Sequence, residues 1–190
     1  RPRPRHRPRR HTNGCDATRF TELRALEPYY HARPWSAALA GKRVLVVHPF
    51  RRTILAQYEK RTQLFPGKDV LPELASLTVI QAVQGLGGQD TGYADWFDAL
   101  TEMERRMDAA DYDVAIVGAG AYSLPLAAHA RDTGHAAIQM SGATQLLFGI
   151  KGKRWDDHPV ISKLYNPAWV RPDETEGISN KEKVEGGSYW

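Results

Sequence analysis

Two glycine-containing turns, each set between an apolar run and a helical pattern, are the segments of this 190-residue chain best suited to holding a ligand. The first, Val117-Gly118-Ala119-Gly120-Ala121-Tyr122-Ser123, places glycines where the backbone can approach an anion. The helix start behind it offers unpaired N–H groups and a positive dipole end. The turn reads G-x-G-x-x-S, with Ser123 where the dinucleotide fingerprint has its third glycine. The next strand ends Ile138-Gln139-Met140-Ser141, without the acidic residue that would hold a ribose. A nicotinamide cofactor is therefore not expected. The second turn, Ser141-Gly142-Ala143-Thr144-Gln145, opens a helix expected over 145–149, with Ser141 or Thr144 as its cap. Gly118, Gly120, Tyr122, Ser123, Gly142, Thr144 and Gln145 are the candidate ligand-binding residues of these turns. The bland alternative is a pair of tight strand-to-helix connections that need positive φ.

Lys151, Lys153 and Arg154 follow the second turn and are placed to balance phosphate charge, with Trp155 available to stack on a base or sugar. A solvated basic loop explains them as well. Arg51 and Arg52, behind the first strand, can reach the same edge. His48 ends that strand as a candidate acid, base or hydrogen-bond donor, or as a satisfied structural histidine. Asp156, Asp157 and His158 stand together and suit a divalent ion shared with substrate phosphates, although a polar turn before Pro159 accounts for them too. No metal ligand is assigned from these residues. There is no G-x-x-x-x-G-K-[ST] phosphate loop, no H-E-x-x-H and no G-x-S-x-G elbow, so the residues alone name no reaction.

The elements that must position these turns alternate strictly. Continuous rather than alternating apolar runs mark strands buried on both faces: Arg43 to His48, Leu77 to Val83, Asp113 to Gly118 and Ala136 to Met140. Helical spacing appears over 53–64 and 124–133, and most clearly over 94–110, where Phe97, Leu100, Met103 and Met107 share a face. This pattern predicts an α/β, Rossmann-like three-layer sandwich with a mainly parallel sheet of about four strands. The ligand edge then lies at the carboxyl ends of the strands. Residues 16–40, with Phe20, Tyr29, Tyr30 and Trp35, read as an irregular approach that caps the core edge. After Gly149 a Pro-, Gly- and charge-rich tail is expected to wrap the same domain rather than build a second one.

Composition bounds the possibilities. Hydrophobic residues are 42% and charged residues 25%, near the globular average, so a packed domain rather than a disordered chain is expected. No apolar run approaches the roughly 18 residues of a membrane span. The single cysteine, Cys15, excludes an internal disulfide. With no apolar leader after the Arg-Pro-rich start, a cytoplasmic location is expected. The net charge is +4, but residues 1–10 hold six arginines and no acid, leaving −2 on residues 11–190. Residues 1–15 are therefore expected to form a disordered, polyproline-like basic arm, and 16–190 the single folded domain, whose acidic balance argues against nucleic acid.

From Leu26-Glu27-Pro28-Tyr29-Tyr30 onward the chain resembles the C-terminal part of a family of uncharacterised bacterial proteins associated with capsule and exopolysaccharide synthesis. The resemblance rests on Pro34-Trp35, the run from Gly41 to Phe50, Gly118-Ala119-Gly120-Ala121-Tyr122, the run from Gly142 to Trp155, and Lys183 to Trp190. Members are similar to glycosyltransferases of the GT-D type. That implies a nucleotide sugar or related phosphorylated small molecule as ligand, with Mn2+ or Mg2+ held by an Asp-x-Glu motif. No Asp-x-Glu occurs here. A nucleotide-sugar-binding, glycosyltransferase-like domain and a non-catalytic binding or scaffold module are the two expectations.

Overall fold

In the computed structural model, which describes residues 21–85 and 88–190, four parallel strands form one sheet. They are β1 (Arg43–His48), β2 (Ser76–Gln81), β3 (Val114–Val117) and β4 (Ala136–Gln139), in the order β2-β1-β3-β4. Val47 pairs with Ile80 on one side and with Val117 on the other, and Val117 pairs in turn with Gln139. The helices are α1 (Arg51–Tyr58), α2 (Arg61–Leu64), α3 (Trp96–Asp108), α4 (Ser123–Asp132) and α5 (Ala143–Leu147). The arm expected over 1–15, together with Cys15 and Phe20, lies outside the described residues.

The continuous apolar run of β1 is explained by a separate core on each face. Val44 and Val46, with Ile116, pack against Ile54, Leu64 and Leu146 from α1, α2 and α5. Leu45 and Val47, with Ala115 and Val117, pack against Met103 and Met107 of α3 and Leu126 and Ala130 of α4. The result is a three-layer α/β sandwich of Rossmann-like type. Its helices lie where right-handed crossovers put them as the chain steps from β1 to β2 and back over β1 to β3.

Some local expectations differ from the structure. The helix read over 53–64 is broken at Glu59 and Lys60, and the break lets α2 turn Leu64 into the core at 1% exposure. Phe97 is 69% exposed, because the Asp95 carboxylate caps α3 by accepting from the N–H groups of Phe97 and Asp98. That fixed start puts Trp96, Ala99, Met103 and Met107 on the inward side. Tyr29 belongs to the core rather than to its edge. α5 starts at Ala143 with no side-chain cap from Ser141 or Thr144.

Residues 150–190 run as short 3₁₀ turns over the α1 side of the sheet. The Trp169 indole donates to Leu64 O at 2.9 Å, and the Gln57 amide donates to Ala168 O at 2.9 Å. No helix among the described residues is long and apolar enough to cross a membrane.

Candidate functional site

β1 has neighbours on both sides, β2 and β3, reached in opposite directions across the sheet, so the strand order reverses between β1 and β3. In open α/β sheets the crevice outside the strand ends at such a reversal is where ligands bind. His48 and Gly118 stand there. The Gly118 N–H still donates to Val47 O at 2.9 Å, as the last ladder bond between the two strands.

The turn after β3 is shaped by packing first. A Cβ on Gly118 would lie 2.5 Å from Thr144 Oγ1 and 2.6 Å from Ser141 O, so glycine is required for the two glycine turns to touch. Gly120 adopts φ +56, with nothing within 4 Å of where a Cβ would stand. Ser123 is fully buried and its Oγ accepts from the Ala119 N–H at 2.7 Å. The hydroxyl thereby closes the turn from inside, in the place where the fingerprint has glycine. The amides of exposed Gly120 and Ala121 have no acceptor among the described residues, leaving them as the open donors of this turn.

These groups line a cleft of about 290 Å³ together with Phe50, Trp96, Gln145, Tyr189 and Trp190. Its walls are aromatic. Trp96 and Tyr122 stack at 4.9 Å and 6°, and Trp190 meets Phe50 edge-on at 6.1 Å. Among the described residues no Asp, Glu, Lys or Arg is in the lining. His48 is 3% exposed, and its Nδ1 accepts from the Phe50 N–H at 3.1 Å, which leaves the proton on Nε2. Burial pulls its pKa down to about 3, so at neutral pH it is an uncharged donor and not a base. Gln145 donates through Nε2 to Tyr189 O at 3.2 Å, while its buried Oε1 has no partner among the described residues, and neither does the Trp190 indole N–H.

The basic residues expected at this edge are dispersed. Lys151 Nζ lies 5.2 Å over the Tyr165 ring, and Lys153 is exposed. Arg154 and Trp155 line a second cleft of about 330 Å³, which shares Ser141, Gly142 and Tyr189 with the first. Arg51 Nε donates to Val79 O at 3.0 Å, and Arg52 Nη1 to Thr175 Oγ1 at 2.9 Å. Thr144 is buried beneath Gly118, away from ligand reach. Asp156 is paired with Arg171, whose Nη2 donates to both its oxygens at 2.8 and 2.6 Å, and His158 Nδ1 faces the N–H groups of Val160 and Ile161. No group of three or more His, Cys, Asp or Glu among the described residues is arranged to hold a metal ion.

Glu176 is a participant the sequence did not flag. It is 3% exposed, and its carboxylate accepts from the N–H groups of Arg52 and Thr53 and from the Thr53 hydroxyl at 2.6 Å. The first turn of α1, directly after His48-Pro49-Phe50, thus carries an anion supplied by the tail. Compared with family models, curated proteins and solved structures, the chain matches none.

Proposed function

We propose that this chain is a nucleotide-sugar-binding domain of glycosyltransferase-like type, acting in the cytoplasm in bacterial surface polysaccharide synthesis, and that its ligand lies in the cleft between the ends of β1 and β3. The observation that carries this reading is the placement of an aromatic-walled cleft, with the open amides of Gly120 and Ala121, at the reversal of strand order. Aromatic faces suit a base or a sugar ring, and the neutral His48 and the unpartnered Gln145 oxygen suit uncharged hydroxyl and amide groups.

The lining does not fit a divalent cation, because among the described residues it offers no carboxylate. No step is therefore assigned to Mn2+ or Mg2+. The same lack of acids, together with an uncharged His48, favours the second reading, a module that binds without catalysing.

The test is thermal stabilisation of the purified chain by a panel of nucleosides, nucleoside diphosphates and nucleotide sugars, with and without manganese. A ligand at 100 times its Kd adds about 2.7 kcal/mol, a clear rise in Tm. A panel without effect removes the nucleotide-sugar reading. Release of sugar from a stabilising donor removes the non-catalytic one.

A further inference from the structure

We infer that Arg154 forms an anion subsite for the phosphate part of the ligand, reached from the aromatic cleft across the ridge of Ser141 and Gly142; this rests on the reading of that cleft as the ligand site. The two clefts share Ser141, Gly142 and Tyr189 as a common wall, so one molecule can occupy both. A diphosphate lodged wholly in the aromatic cleft loses water and meets no opposite charge from the described residues, since none of those lining it is cationic. Among the described residues Arg154 is the one cation lining the second cleft.

Its setting is that of an arginine held ready rather than one in use. The guanidinium lies over two aromatic rings, 5.3 Å from the Trp155 centroid and 5.1 Å from that of Tyr189. Its carboxylate neighbour is Glu185 at 3.5 Å, and among the described residues the guanidinium makes no hydrogen bond. Arg171 and Arg43, by contrast, spend their donors on Asp156 and Asp113 at 2.6 to 2.8 Å. Contact with two rings favours one placement of the Arg154 guanidinium, and its planar fork matches a phosphate bidentately.

Glu185 is the replaceable partner. Its side chain is 60% exposed, and its backbone sits at φ +48, a left-handed conformation costly for a residue with a Cβ. An incoming phosphate takes the place of this carboxylate. Glu27 also lines the second cleft, but its Oε2 accepts the Tyr29 hydroxyl at 2.6 Å and is directed to that contact.

The experiment is calorimetric titration of wild type, Arg154→Ala, Arg154→Lys and Glu185→Gln with a nucleoside, its diphosphate and inorganic pyrophosphate, after confirming an unchanged Tm for each variant. The nucleoside is expected to bind all four proteins equally. The diphosphate is expected to bind wild type roughly tenfold tighter than the nucleoside, an advantage lost in Arg154→Ala, reduced in Arg154→Lys and increased in Glu185→Gln. A diphosphate affinity unchanged in Arg154→Ala, with the nucleoside still bound, overturns the subsite and leaves the cleft reading standing. Pyrophosphate binding that depends on Arg154 in a chain that ignores the nucleoside does the reverse. No binding of any probe to wild type overturns both.

Discussion

The two strand-to-helix turns that flank the strand reversal solve the same problem in opposite ways. After β1, the first amides of α1 and the Thr53 hydroxyl are taken by the carboxylate of Glu176, a residue delivered by the tail. After β3, the turn is closed from within, by the Ser123 hydroxyl and by the Tyr122 N–H donating to Ala119 O, and the amides of Gly120 and Ala121 have no acceptor among the described residues. The position where an α/β protein most readily accepts an anion is thus filled internally on one side and free on the other. The difference teaches that, of the two turns, the one after β3 is the one whose amides the described chain leaves open.

Removing the internal anion is the strongest way to break this contrast. Glu176→Ala strips three donors of a buried acceptor and is expected to cost about 3 kcal/mol in urea unfolding, with Glu176→Gln costing less because one acceptor oxygen remains. An effect below about 0.5 kcal/mol removes the carboxylate from any structural role. Next comes Gly118→Ala, whose Cβ would collide with Thr144 and the Ser141 carbonyl. About 2–3 kcal/mol is expected, with a folded but altered cleft visible as loss of any ligand-induced Tm shift.

Acid titration separates the two turns further. His48 is held far below its unfolded pKa of about 6.5, so the unfolded chain binds a proton that the native chain refuses as pH falls from 6.5 toward 3. Stability from this group is complete above pH 6.5. It declines by about 1.4 kcal/mol per pH unit below it, or about 2 kcal/mol at pH 5. His48→Gln should flatten that limb of the stability curve, and a limb that keeps its slope assigns acid sensitivity elsewhere. The smallest effect belongs to Ser123→Ala, which leaves the Ala119 N–H unpaired at about 1 kcal/mol. Hydrogen exchange at Ala119 should rise in that variant and not in Glu176→Ala.

The fold was legible because β1 and β3 are uninterrupted apolar runs, and a strand buried on both faces writes its environment directly into sequence. Gly118 and Gly120 were legible for the same local reason. What the sequence could not show is which distant segments return to the site. Glu176 reads as one acid in a charged tail, and Tyr189 and Trp190 as its aromatic end, until the tail is laid over α1. Phe97 misled because a single capping residue, Asp95, sets the rotation of α3, and a hydrophobic spacing that admits either Trp96 or Phe97 does not. Spacing in the basic cluster does not show that Lys151 lies over Tyr165 while Arg154, three residues on, lies over Trp155 and Tyr189.

The contact between Glu176 and Thr53 spans 123 residues. In kinetic terms it closes a long loop, and closure of that size is expected late, after the local βα units have formed. Until residue 176 has been made, the Arg52 and Thr53 amides lack the carboxylate that accepts from them in the folded chain. Phosphate in the surrounding medium should then hasten folding of a chain cut before residue 176 more than that of the whole one.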